Sequence, residues 1–177
     1  MKRVLSVMLC AALLLGASAC GKQQNDGGRK GTQQKQEQNV YKTLAPEKIL
    51  TLEEVSQVVE YAPVEKTEKT RKKATVLYCS EPIGKGDIIQ VDLYQPSDSI
   101  SEEEVRRFYD EIQEKRTKAE AVEDLGCEAF IAIPSIHLMK DGYHVAITAG
   151  SGGGDEQKAL LKKLAQIAIG NMDELLQ

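Results

Sequence analysis

The sequence predicts an α+β domain, a mainly antiparallel sheet of about five strands with three helices packed on it, in the order αββαβββα. Three observations predict it. One capping pattern, Thr51-Leu52-Glu53-Glu54 and then Ser101-Glu102-Glu103-Glu104, opens two stretches of helical period. Each of these is followed by segments in which apolar and polar residues alternate in the β manner. A further stretch of helical period closes the chain from Asp155 to about Gly170.

In the first unit, Thr51 caps the helix, Glu54 reaches back to it, and Leu52, Val55, Val58 and Val59 supply one apolar face that ends by Pro63. Residues 66–73, basic and threonine-rich, read as a solvated connection. Residues 75–80 and 88–94 alternate around Gly84-Lys85-Gly86-Asp87 and form a hairpin. In the second unit, Val105, Phe108, Tyr109 and Ile112 fall at helical spacing behind three glutamates that suit the positive end of the helix dipole. Strands follow at 129–133, 136–139 and 143–149, the last two joined by a tight turn at Asp141-Gly142. Apolar residues on both faces of 88–93 and 129–133 predict helices on both sides of the sheet.

Residues 1–19 read as a signal peptide. Lys2 and Arg3 form a positive start, residues 4–15 an apolar run, and Ala17-Ser18-Ala19 the small residues that a signal peptidase needs. A thiol directly after that triplet predicts that Cys20 takes a diacylglycerol on its sulfur, is freed from Ala19 and is then acylated on its new amino group. Two or more acyl chains hold a domain on a bilayer where one does not. These residues resemble a bacterial lipoprotein signal. Two other readings compete. An uncleaved membrane helix needs about 20 apolar residues, more than the run before Gly21-Lys22-Gln23-Gln24 provides. A plain secretory signal would be cut at the same bond.

Beyond Cys20 the expected organisation is a disordered tether over 20–49 and a single domain over 50–177. Up to about Ala45 the tether is almost free of apolar residues and cannot repay the entropy of ordering. Residues 21–49 hold six Lys or Arg against three acidic residues, whereas 50–177 hold fifteen against twenty-four. The tether is therefore basic and the domain acidic, a balance that suits an anionic membrane surface at the tether and disfavours nucleic acid as a partner.

With Cys10 removed in the signal and Cys20 taken by lipid, Cys79 and Cys127 remain in an oxidising compartment. Each is expected at a strand end, where a disulfide would close a loop of nearly 50 residues; the alternative is two buried thiols acting as small apolar side chains. The Asp141-Gly142 turn pairs Leu138 with Val145 and Met139 with His144, which sends His137 and His144 to one face. That face is expected to be exposed, and two ligands without a fixed acidic partner fall short of the three or four that zinc takes, so a solvated or hydrogen-bonded role is expected and no metal. Gly150-Ser151-Gly152-Gly153 approximates a nucleophile elbow, but no histidine follows His144, and Ser151 reads as a linker residue. Asp155 is the expected cap of the closing helix.

Leu52-Glu53-Glu54-Val55, Leu125-Gly126-Cys127-Glu128-Ala129 and the hairpin Leu138-Met139-Lys140-Asp141-Gly142-Tyr143-His144-Val145 together resemble a group of bacterial lipoproteins of unknown function. Their domain is a PsbP-like α/β/α sandwich, and the resemblance implies no catalytic residue. The expected role is a lipid-anchored, extracytoplasmic, non-catalytic domain that binds a protein or envelope component, with no cofactor. The alternative is a carrier of a small ligand or lipid; an enzyme is not expected.

Cys20→Ala removes the only residue at the processing site able to form the thioether. Cells fed a labelled fatty acid should incorporate it into the native chain and not into this variant; label retained by Cys20→Ala would overturn the assignment.

Overall fold

A computed structural model describes residues 41–70, 72–80, 88–150 and 153–177. The signal segment 1–19, Cys20, the stretch 21–40, the turn at 84–87 and Ser151 lie outside the described residues. The elements run α1 (Pro46–Ile49), α2 (Leu52–Ser56), β1 (Val64–Lys69), β2 (Ala74–Cys79), β3 (Ile88–Tyr94), α3 (Glu102–Lys115), β4 (Glu120–Ala121), β5 (Glu128–Ala132), β6 (Ser135–Lys140), β7 (Tyr143–Ala149) and α4 (Asp155–Leu176). The strands form one open sheet in the order β1-β2-β3-β7-β6-β5-β4, antiparallel throughout. The architecture is thus the expected α+β, with seven strands and four helices among the described residues instead of about five and three.

Both capping boxes form. Thr51 Oγ1 accepts from the Glu54 amide at 3.3 Å while Glu54 Oε2 accepts from the Thr51 amide at 2.8 Å, and Ser101 and Glu104 repeat the exchange at the start of α3. The first box starts only a short helix: α2 ends at Ser56, before the expected Val58 and Val59. Glu54 is also held from outside, since Asn171 Nδ2 of α4 donates to both of its oxygens at 2.9 Å. The hairpin of β6 and β7 has the expected register, Leu138 opposite Val145 and Met139 opposite His144. Its turn residues Asp141 and Gly142 both have positive φ, 48° and 85°, as a two-residue turn of this hand requires.

Four expectations are corrected. Residues 66–73 are not all connection, because Val64–Lys69 is the edge strand β1. It is exposed along nearly its whole length, so no apolar alternation marks it, and its charges suit an edge that must not pair with another chain. The tether does not reach residue 49. Leu44, Ile49 and Leu50 are buried in the main core, Gln95 holds the Leu44 backbone by two hydrogen bonds of 2.8 and 3.0 Å, and Tyr143 Oη donates to the Lys42 carbonyl at 2.6 Å. The domain therefore includes 41–49, where Pro46 opens the one-turn α1. Asp155 does not cap α4; it lies in the first turn, after Gly154 at φ 112°. That helix also continues past Gly170 to Leu176. An interior glycine costs about 1 kcal/mol, and full burial of Met172 two residues later offsets it.

Helices cover both faces of the sheet, as the two-sided apolar strands require. On one face Val76, Tyr78, Val91, Leu93, Val145 and Ile147 pack with α1 and with Leu161, Leu164 and Ala168 of α4. On the other, α3 lies over β6 and β7 with Val105 and Tyr109 against Phe130 and Met139. No helix among the described residues is long and apolar enough to cross a membrane. Leu164 is fully buried, so Leu164→Ala should lower the unfolding free energy by about 2–5 kcal/mol in urea titration, while Lys162→Ala, on the exposed side of the same helix, should stay within about 0.5 kcal/mol. Equal effects would show that this face of α4 does not carry the core.

Candidate functional site

The face of the sheet that α3 only partly covers carries a group of buried or half-buried polar side chains on its strands. The register aligns them in rows across the strands. One row runs Thr75, Asp92, Ala146, His137 and Phe130 from β2 to β5. The next runs Leu77, Gln90, Thr148, Ser135 and Ala132. A third, beneath α3, runs Tyr94, His144, Met139 and Glu128. Thr75, Gln90, Asp92, Ser135 and Thr148 are all partly exposed, and they form the floor of the candidate site.

These side chains hold one another in place. Asp92 accepts from Lys73 Nζ at 2.9 Å, Thr75 Oγ1 at 2.6 Å and Gln90 Nε2 at 2.9 Å. Burial alone would pull the Lys73 ammonium down, but its hydrogen bond to Asp92 and that carboxylate's charge hold it above its ordinary value. Ser135 and Thr148 share a hydroxyl hydrogen bond of 2.7 Å. Asp92 thus spends three of its acceptor positions inside the cluster and is fixed in orientation, which suits recognition better than proton transfer.

The histidines correct the expectation of an exposed face. Both are buried, His144 completely. His144 stacks on Tyr94 with ring centroids 5.0 Å apart and meets the edge of Tyr109 at 5.4 Å; His137 stacks on Phe130 at 4.7 Å. The expected hydrogen-bonded role is what the pair shows, since His137 Nδ1 and His144 Nε2 lie 3.2 Å apart and one donates to the other. His144 Nδ1 has no partner among the described residues. Burial, reinforced by the charge of Arg116 and opposed by that of Asp92, lowers His137 to about 4. Burial, then the neighbouring His137, lowers His144 to about 3, again against Asp92. Two neutral imidazoles in an aromatic box brace α3 against the sheet. No group of three or more metal-binding side chains occurs among the described residues.

The disulfide expected between Cys79 and Cys127 is refused by topology, and both thiols are free. The two cysteines sit at strand ends as expected, but β2 and β5 are separated by β3, β7 and β6, four strand spacings of about 4.8 Å each. They also lie at opposite ends: Cys79 pairs with Ile88, whose carbonyl accepts from Gly150, whereas Cys127 precedes Glu128, opposite Met139 near the 141–142 turn. Joined Cα atoms must come within about 7 Å. Burial raises the Cys127 thiol, which makes it a poor nucleophile. Alternation along Ile88–Tyr94 carried the signal for Gln90 and Asp92, the two polar positions opposite Ile89, Val91 and Leu93; no local pattern marked Thr75, Ser135 or Thr148 as their neighbours.

No family model matches the chain, nor does any curated protein or solved structure.

The histidine pair links stability to pH. Each imidazole is neutral in the folded state and has a folded pKa below the unfolded value of about 6.5, so the unfolded chain binds more protons below that pH. Stability should be flat above about pH 6.5 and fall between there and pH 4, by about 2 kcal/mol per histidine from pH 7 to pH 5. The double variant His137→Phe/His144→Phe should flatten urea midpoints over that range. An unchanged slope would place the histidines in solvent.

Proposed function

We propose that this chain is a membrane-anchored, extracytoplasmic lipoprotein whose domain is non-catalytic and binds a protein or envelope component through the polar floor of the sheet. One observation carries the reading of the site: Thr75, Gln90, Asp92, Ser135 and Thr148 stay partly exposed on a rigid sheet, held in fixed orientation by mutual hydrogen bonds. Rigid, pre-oriented polar groups lose little entropy on binding, which is what a recognition surface needs. The anchor is supported by Lys2, Arg3, the apolar run and Ala17-Ser18-Ala19 before Cys20.

The surface is polar, so the fitting partner offers hydrogen-bond donors and acceptors, as a polypeptide backbone or a glycan does. Leu52 is the only large apolar side chain that is exposed among the described residues, which favours such a partner over one held by an oily patch. The interior between the sheet and α4 is filled by side chains such as Val91, Val145, Ile147, Leu161 and Leu164, all fully buried. This favours surface recognition over carriage of a lipid in the core.

A photo-crosslinking residue placed at Gln90 or Thr148 should give one defined adduct in intact cells, and the same residue at Lys163 on α4 should not. Asp92→Ala removes the acceptor that orients Thr75 and Gln90, and should weaken the adduct about ten-fold, the worth of one charge-assisted hydrogen bond. Adducts that form equally at Lys163, or that ignore Asp92→Ala, would count against this face.

A further inference from the structure

At one corner of the sheet the turn from β1 to β2 lies beside Thr43, among the first described residues. A surface cavity there is lined by Thr43, Lys69, Thr70, Lys72, Lys73 and Ser97 among others. Lys69 and Lys72 are exposed, and neither makes an ion pair among the described residues. Lys72 Nζ stands 5.4 Å from the Phe108 ring centroid. Lys73 is bound to Asp92. Lys42, exposed, immediately precedes Thr43. Glu47 and Glu68 line an adjoining cavity together with Thr43 and Lys69 and partly offset the lysines. The corner nevertheless inverts the sign of a domain in which residues 50–177 carry twenty-four acidic against fifteen basic side chains.

We propose that this basic corner, Lys42, Lys69 and Lys72 around Thr43, docks the domain on the surface of an anionic lipid bilayer. Two independent features point to that occupant. The first is charge: the lysines gather where the rest of the domain is acidic, and a compact ammonium group suits a lipid phosphate as a point charge. The second is position. The described chain begins with Tyr41 against Tyr143 of β7 and reaches this cavity at Thr43, and Lys42 stands 22 residues after Cys20 in the sequence. Lys42 and Thr43 are thus the part of the corner closest along the chain to the anchoring cysteine, and residues 21–40 between them carry four Lys or Arg against two acidic residues. Each lysine near an anionic surface strengthens attachment by about five-fold at physiological salt, and the effect vanishes within a few Debye lengths. The proposal rests on the lipid-anchored reading of Cys20, and the experiment separates the two.

The full chain, isolated from cells with its attached lipid, is mixed with vesicles of phosphatidylcholine alone or with added phosphatidylglycerol. Flotation reports attachment, and amine acetylation read by mass spectrometry reports which lysines face the lipid, with the exposed Lys162 and Lys163 of α4 as the reference. The expected result is flotation with both vesicles, and acetylation of Lys69 and Lys72 slowed at least about five-fold by the anionic vesicles only, relieved by high salt. In Lys69→Glu/Lys72→Glu, protection of Lys42 should disappear while flotation persists. Flotation with both vesicles and no selective protection overturns the corner and leaves the anchor standing. Flotation with anionic vesicles alone, with protection, overturns the anchor and supports the corner; flotation with neither overturns both. Equal protection by inorganic phosphate without vesicles would make the corner a small-anion site and overturn the docking.

Discussion

The pairing of β3 with β7 is the contact on which the structure depends. It joins two sets of strands that are otherwise separate in the sheet, β1-β2-β3 on one side and β7-β6-β5-β4 on the other. Its register sets Val91 opposite Ile147 and Leu93 opposite Val145, all fully buried on the α4 side. The same register sets Asp92 opposite Ala146 and Tyr94 opposite His144 on the α3 side. A slip of one residue would exchange the faces of a whole strand. Asp92 would then enter the apolar core unpaired, while Val91 and Leu93 would leave it. Burial on one face and polar order on the other thus enforce the same register, which is how a sheet closed by so long a connection stays unique.

How much of this was legible in the sequence depends on whether the signal was local. The capping boxes at Thr51 and Ser101 act within four residues, and both form as read. The Asp141-Gly142 turn acts within two, and it set the register of β6 and β7 correctly. Where the deciding interaction lies far along the chain, the reading failed. Residues 41–49 look like tether because their burial depends on Gln95, Tyr143 and Asn171, which lie some 50 to 120 residues away. β1 has no apolar alternation because it is an exposed edge strand, joined to the sheet by its backbone pairing with β2. The separation of Cys79 from Cys127 follows from strand order, and periodicity carries no information about order.

The site shows the same division. Alternation put Gln90 and Asp92 on one face, and turn geometry put His137 and His144 on one face, but only the β3–β7 pairing makes these the same face. The histidines were expected in solvent because nothing near them in sequence shows that Tyr94 and Tyr109 close over His144. Their burial leaves the neutral form as the one that fits, so the pair stiffens the docking of α3 and leaves the neighbouring polar floor to face outward. A lipid at Cys20 and a basic corner at the start of the domain would then keep that floor at the membrane, where a surface ordered in advance gains from proximity without contributing chemistry of its own.

If the polar floor is the recognition surface proposed above, the α3 side of the sheet, and not the exposed side of α4, meets the partner. Backbone amide NMR of the chain titrated with a solubilised fraction of the cell envelope tests it most directly. Shift or intensity changes are expected to cluster at Thr75, Gln90, Asp92, Ser135 and Thr148, with the exposed side of α4 unchanged. Changes clustered on α4, or none on the sheet at any envelope concentration, would contradict it.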